Sequence, residues 1–216
     1  MGPGDSGLPS REEAIGRSAG RIVGWVGHHW LLLVNVAMLL YLALPVVAPV
    51  LASGGHDGWA RAVHLVFAPF CHQLPERSIF VFGPQATYTR AELVAAVGEV
   101  IPLRYTGGPA TGYKIAVCQR CLAIYAGWFV LGVVYSQVRR SLKPLPIRWF
   151  LGLLVPIAVD GVGQLVGLWH SSLPSRVATG LLFALAIVWL TYPHLEAGMA
   201  DMRADAARAQ RSAPHR

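Results

Sequence analysis

Charge is scarce in this chain: 13% of its 216 residues are Asp, Glu, Lys or Arg, against about 25% in an ordinary soluble domain. The deficit lies in long uncharged stretches of Leu, Val and Ala, which excludes a water-soluble globule and asks for lipid around them. Cysteine is also scarce, with three in all. That is too few for a disulfide scaffold, and an odd number leaves one thiol over if two are bridged. Low-complexity tracts and internal repeats are missing, so repeat architectures and extended disorder are excluded. The formal charge of +7 is compatible with nucleic acid as a partner. However, the basic residues sit between apolar runs and in the tails rather than along one stripe, so topology accounts for them and nucleic acid is not expected.

What is present reads as an all-α membrane protein with four transmembrane helices. Residues 1–28 form a polar, Gly-rich N-terminal tail. The spans cover about 29–51, 115–137, 147–169 and 174–195 of a membrane domain at 29–195, followed by a C-terminal tail at 196–216. Each run is near the roughly 20 residues needed to cross the hydrocarbon core. Val50-Leu51-Ala52 looks like a signal-peptidase site, but the run before it is too long for a signal peptide, so an uncleaved anchor is expected. The connection at 52–114 is the longest. Within it Trp59–Phe70 is amphipathic and about half a span long, which suits an interfacial or re-entrant helix. Thr89 and Glu92 have capping-box spacing for a short helix reaching Val100, and Gly107-Gly108-Pro109 breaks the chain before the second span. Pro174 fits the first turn of the fourth.

Positive charge then orients the bundle. Arg139, Arg140, Lys143 and Arg148 crowd the loop between spans two and three. Arg11, Arg17 and Arg21 mark the N-terminal tail, and Arg203, Arg208, Arg211 and Arg216 the C-terminal one. The short loop between spans three and four has only Arg176, and the long loop is thinly basic. Both termini are therefore expected in the cytoplasm of a plasma (inner) membrane protein, with 52–114 outside. The lipid bilayer is the expected partner. Four short spans make a thin wall for a channel, so a transport role requires a homo-oligomer.

That orientation gathers the unusual polar residues in the outer half. Cys118-Gln119-Arg120-Cys121 is a CxxC expected in the first turns of the second span, which puts both sulfurs on nearly one face. With Cys71 and His72 it makes a Cys3His set suited to zinc or a similar transition metal. Alternatively Cys118 and Cys121 form a redox dithiol, or all three thiols simply pack as small apolar groups. Leu122 occupies the position where a c-type haem motif needs His, so no such haem is expected. Asp160, inside the third span, costs about 2.5–3.5 kcal/mol on insertion scales and needs a partner. Gln164 lies one turn away, and Arg176 is the expected counter-charge, either as a structural lock or around a solute or proton path lined by Asp160, Gln164 and Arg176. Arg120 is expected to snorkel to the interface. His56, His64 and His170 are further imidazoles on that side. Tyr125 and Trp128 read as packing residues, and Gly161, Gly163 and Gly167 permit close helix approach.

These segments resemble one family. Cys71-His72-Gln73-Leu74-Pro75-Glu76-Arg77-Ser78 and Cys118-Gln119-Arg120-Cys121-Leu122-Ala123-Ile124-Tyr125-Ala126-Gly127 are similar to two motifs of the DUF2085 membrane proteins. Pro156 through Asp160-Gly161 to Gln164, then Arg176 and Thr179-Gly180, resemble a third and fourth. The chain departs at Leu122-Ala123, where small or hydroxylated residues are usual. The resemblance covers about residues 60–185. It implies a polytopic membrane protein and singles out Gln73, Arg77, Gln164 and Thr179 as further polar site residues, but it implies no reaction. If the metal position is open to water, Asp160, Glu76 and Arg176 are the candidates for acid–base or catalytic work. Three thiolates donate heavily, which favours a structural role.

Overall fold

The computed structural model describes residues 11–98, 100–102, 105–139 and 141–212. Residues 1–10, Arg140 and Arg216, which figure in the charge argument above, lie outside them, as do the side chains of Arg11, Arg17 and Arg211. Four of the described helices are long and apolar enough to cross a membrane. They lie in α1 (Arg11–Ser53), α4 (Gln119–Val138), α5 (Ile147–Leu165) and α6 (Leu173–Ser212). Their windows of greatest hydropathy are only 11–33% buried within the chain. Leu40, Val134, Leu151 and Leu181 therefore face outward as bare hydrocarbon, a surface stable against lipid and not against water.

Close helix approach is set by glycine. A Cβ at Gly180 would stand 2.9 Å from the Arg120 carbonyl oxygen and 3.0 Å from Ala123 Cβ. A Cβ at Gly127 would stand 3.0 Å from Ala184 Cβ. These two contacts lay α4 against α6 along their length. Near the end of α4, α1 and α6 run side by side: Gly27 lies against Arg203, and the Trp30 indole N–H donates to Glu196 at 2.9 Å. Trp30, Leu31, Tyr135, Val188 and Tyr192 fill the interior at this level.

The all-α expectation requires correction. The segment between α1 and α4 contains α2 (Asp57–Phe67), a 3-10 turn (Pro75–Arg77) and α3 (Arg90–Val97), and also a three-stranded antiparallel sheet. Its strands are β1 (Ser78–Val81), β2 (Gly107–Gly108) and β3 (Gly112–Cys118), in the order β1-β3-β2. Ile115–Cys118, expected as the first turn of a span, are strand. They continue β3, which pairs antiparallel with β1: Ser78 lies opposite Cys118 and Phe80 opposite Lys114, with a bulge-like irregularity between these two pairs where Ile115–Val117 lie. Gly107-Gly108 does not merely break the chain. It is the edge strand, and a Cβ at Gly107 would sit 2.3 Å from the Gly112 carbonyl oxygen.

Other local signals match the structure. Thr89 caps α3 in a full capping box, with its N–H donating to Glu92 at 2.7 Å and the Glu92 N–H donating back to the Thr89 hydroxyl at 3.3 Å. The amphipathic stretch is α2, with Ala60, Val63, His64 and Phe67 packed inward and Trp59, Leu65 and Val66 outward. The third span stops at Leu165, four residues before its expected end. Gly167 takes φ +74°, and the Leu168 N–H returns to the Gly163 carbonyl at 2.8 Å. That is the left-handed helix stop that glycine supplies without steric cost. The chain then folds back, and Trp169 lies across Gly163, where a Cβ would meet its ring at 2.2 Å.

Candidate metal centre and the adjoining ion-pair hub

Three elements converge beside the start of α4. α2 ends at Phe67, and a turn delivers Cys71 into an apolar cluster with Phe67, Ala48, Ile115 and Val117. β3 brings Cys118 to the same place, and the first turn of α4 adds Cys121. The three sulfurs lie within 4.8 Å of one another, Cys71 being 5% exposed. The Cys118 backbone N–H donates to the Cys71 sulfur at 3.2 Å. Cys118 is itself the N-cap of α4. The Cys121 and Cys71 thiols and the backbone N–H groups of Cys121 and Arg120 hold its thiol well below the usual range, the established effect of helix N-terminal N–H groups on a thiolate. Hydrogen bonding to Cys118 and burial push the Cys71 thiol up. None of the three is in a disulfide.

The turn that presents Cys71 is held by polar bonds. Gln73 has φ +53°, a left-handed conformation costing a non-glycine residue about 1–2 kcal/mol. Its side chain offsets this through the amide N–H to the His64 carbonyl at 2.6 Å and the amide oxygen to the His64 ring at 3.1 Å. Its own carbonyl accepts from the Lys114 ammonium. Lys114 is 1% exposed, and burial lowers its pKa to about 8 against the opposing pull of Cys71, Cys118 and Glu76. Burial, with the charge of Lys114 next, lowers His64 to about 4, so this imidazole is neutral.

The expected set is therefore gathered in part. Cys71, Cys118 and Cys121 come together, whereas His72 is exposed and does not join the group. His56 and His170 are exposed as well, and His64 is committed to Gln73. Glu76 and Arg77 lie half-buried in the 3-10 turn, and the Arg77 Nε is buried without a partner.

The pairing of Asp160 also differs from expectation. Its partner is Arg120, which does not snorkel but turns inward from the first turn of α4 to form the ion pair. Gln164 Nε2 at 3.0 Å, Ser171 at 3.0 Å, Ser175 at 3.3 Å and the Trp169 indole N–H at 3.4 Å complete the donors around the carboxylate. Arg176, the expected counter-charge, donates instead to the Gln119 amide oxygen at 2.9 Å, and Gln119 donates to the Ser78 carbonyl at 3.1 Å. Thr179 returns its hydroxyl to the Ser175 carbonyl at 2.8 Å. The physical reason is helix rotation. The contact at Gly180 brings the start of α4 so near α6 that Gln119 faces Arg176 and Arg120 faces α5.

Two residues that matter here, Lys114 and Gln119, are not singled out by sequence. A lone lysine inside the apolar stretch before the CxxC was the available signal for the first. The second, between the cysteines, carries no spacing that reveals its partners.

The chain is similar to known but uncharacterised proteins. The chain is 29% identical over 170 residues to an uncharacterised protein of Methanocaldococcus jannaschii, covering 75% of this chain and 90% of that one. It is 30% identical over 80 residues to an uncharacterised protein of Methanothermobacter thermautotrophicus, covering 37% of this chain and 72% of that one. No solved structure matches. The model of a family described as predicted membrane proteins, DUF2085, matches residues 110–190, from β3 through the CxxC and the Asp160 hub into α6, and the chain belongs to that family.

Proposed function

We propose that this membrane protein holds a zinc-like ion on Cys71, Cys118 and Cys121, and that the ion staples the segment between α1 and α4 onto the start of α4. The observation that carries this reading is the approach of three sulfurs to within 4.8 Å inside an apolar cluster. Tetrahedral Zn–S bonds of about 2.3 Å require S···S separations of about 3.8 Å, so an ion is accommodated by a contraction of at most about 1 Å on any edge. The N–H bond to the Cys71 sulfur is the kind of outer contact that supports a thiolate ligand. In this reading the outer segment faces the exterior, both termini are cytoplasmic, and His72 is not the fourth ligand. An open fourth position is typical of catalytic zinc. Three thiolates nevertheless leave a weak Lewis acid, so the role is structural.

Metal analysis of the purified, monodisperse protein tests this. About one equivalent of zinc is expected, falling to background in Cys118→Ser, whose hydroxyl can still accept helix N–H groups. A metal-free wild-type protein whose three thiols all react with an alkylating agent before unfolding ends the proposal.

A second reading, thiol–disulfide exchange by Cys118 and Cys121, is favoured by the lowered thiol at the helix N-cap. Thiol trapping separates the two: a Cys118–Cys121 disulfide in the isolated protein supports exchange, and three protected thiolates support metal. Solute transport through Asp160 has no such support, because donors already surround its carboxylate.

A further inference from the structure

At the opposite end of the bundle from the thiols, α1, α4 and α6 leave a cavity of about 320 Å³ lined by His28, Arg139, Glu196 and Arg203. That volume is at the lower end of small-ligand cavities. The pocket lies where the apolar runs stop: His28 precedes the run beginning at Trp30, Arg139 is the C-cap of α4, and Glu196 follows Leu195 in α6. In the topology proposed above this places it at headgroup depth, at the end of the bundle where α4 ends.

We propose that this pocket seats a phosphate group, that of an anionic phospholipid headgroup. The charges favour an anion: two guanidiniums face one carboxylate. That carboxylate is already consumed, its oxygens accepting from the Arg203 guanidinium at 3.0 Å and from the Trp30 indole at 2.9 Å. Arg203 is held in place by a second bond, to the Gly27 carbonyl at 2.7 Å. Arg139 is different. It reaches Glu196 only at 4.0 Å and is 35% exposed, so its planar fork retains donors for a phosphate, which it can bind through two parallel bonds. The His28 Nδ1 faces the Gly24 carbonyl at 3.2 Å and therefore carries the ring proton there, so the neutral ring supplies no donor to a phosphate and the guanidiniums carry the recognition. Basic pockets between transmembrane helices at the cytoplasmic surface suit such headgroups. Lys143 and Arg148, which follow in the next turns of the chain, raise the local positive potential.

The test uses the full chain in detergent, with dioleoyl phosphatidylglycerol, dioleoyl phosphatidylcholine or inorganic phosphate added, and reads the thermal midpoint. Phosphatidylglycerol is expected to raise the midpoint by several degrees in the wild type and in Arg21→Gln, which removes a charge from the same end of α1 outside the pocket. Arg139→Gln is expected to lose more than half of that rise. If millimolar inorganic phosphate reproduces the rise and Arg139→Gln abolishes it, the phosphate site stands, with a free anion as its source. The proposal is overturned if no phosphate source stabilises the wild type, if Arg139→Gln keeps the full effect, or if Arg21→Gln loses as much. Should Arg139→Gln fail to fold, native mass spectrometry of the wild type decides: retention of phosphatidylglycerol several-fold above phosphatidylcholine supports the site, and equal retention overturns it. Loss of the thiol centre leaves these outcomes unchanged.

Discussion

The backbone N–H of Cys118 donates to the sulfur of Cys71, 47 residues earlier, at 3.2 Å. Through this bond the turn after α2 is tied to the N-cap of α4 before any ion is considered. Cys71→Ala leaves a donor without its acceptor in an apolar cluster, at about 1–3 kcal/mol. Cys71→Ser keeps an oxygen there and should recover part of that loss while binding no more metal than the alanine variant. Thermal unfolding in detergent alongside metal analysis measures both. Equal stability of the two variants would show that this bond contributes nothing.

Asp160 should respond asymmetrically to substitution. Removing one neutral donor, as in Ser175→Ala, costs about 0.5–1.5 kcal/mol, since the other donors remain. Asp160→Ala strands the Arg120 guanidinium in a half-buried position and should cost about 3–5 kcal/mol. Unfolding midpoints of the two variants, compared in one detergent, test the ordering, and a milder effect for Asp160→Ala contradicts the assigned hub.

Acid should weaken the segment between α1 and α4 through His64. Folded, this imidazole binds a proton only near pH 4, whereas in the unfolded chain it does so near 6.5. Between these values the unfolded state holds more protons, so stability is fully present above 6.5 and is lost as pH falls towards 4. His64→Gln, which can keep a bond to Gln73, should flatten that slope. A slope identical to the wild type would assign the acid sensitivity to the thiols instead.

The α4–α6 seam should not accept a methyl group. In Gly180→Ala the new Cβ meets the Arg120 carbonyl oxygen at 2.9 Å, and backbone yields less readily than a side chain. A loss of about 1–3 kcal/mol is expected, whereas Gly152→Ala, with nothing within 4 Å of the added Cβ, should be neutral or slightly stabilising. Parallel thermal melts distinguish the two.

The parts of this architecture legible in sequence are those set by local pattern. Long apolar runs name the spans, Thr89 with Glu92 announces a capped helix, and three cysteines within motif segments point to one cluster. Ile115-Ala116-Val117 defeats the same reasoning, because a short apolar run fits a buried strand and the opening of a helix equally well. What decides is β1, far away in sequence. Arg120 and Arg176 are alike in composition and depth, and their choice of partner depends on the rotation of α4 against α6. That rotation follows from contacts at Gly127 and Gly180, which no periodicity encodes. The exposure of His72, between buried Cys71 and buried Gln73, is likewise accompanied by a left-handed backbone at Gln73 that no periodicity announces.

β3 runs into α4 at Cys118 with no loop between them. A pull on the sheet is thus borne by the transmembrane helix directly, with no slack to absorb it. Any tilt of α4 would in turn carry Cys118 and Cys121 together relative to Cys71, so the sulfur triangle keeps its shape only while helix and sheet move as one piece.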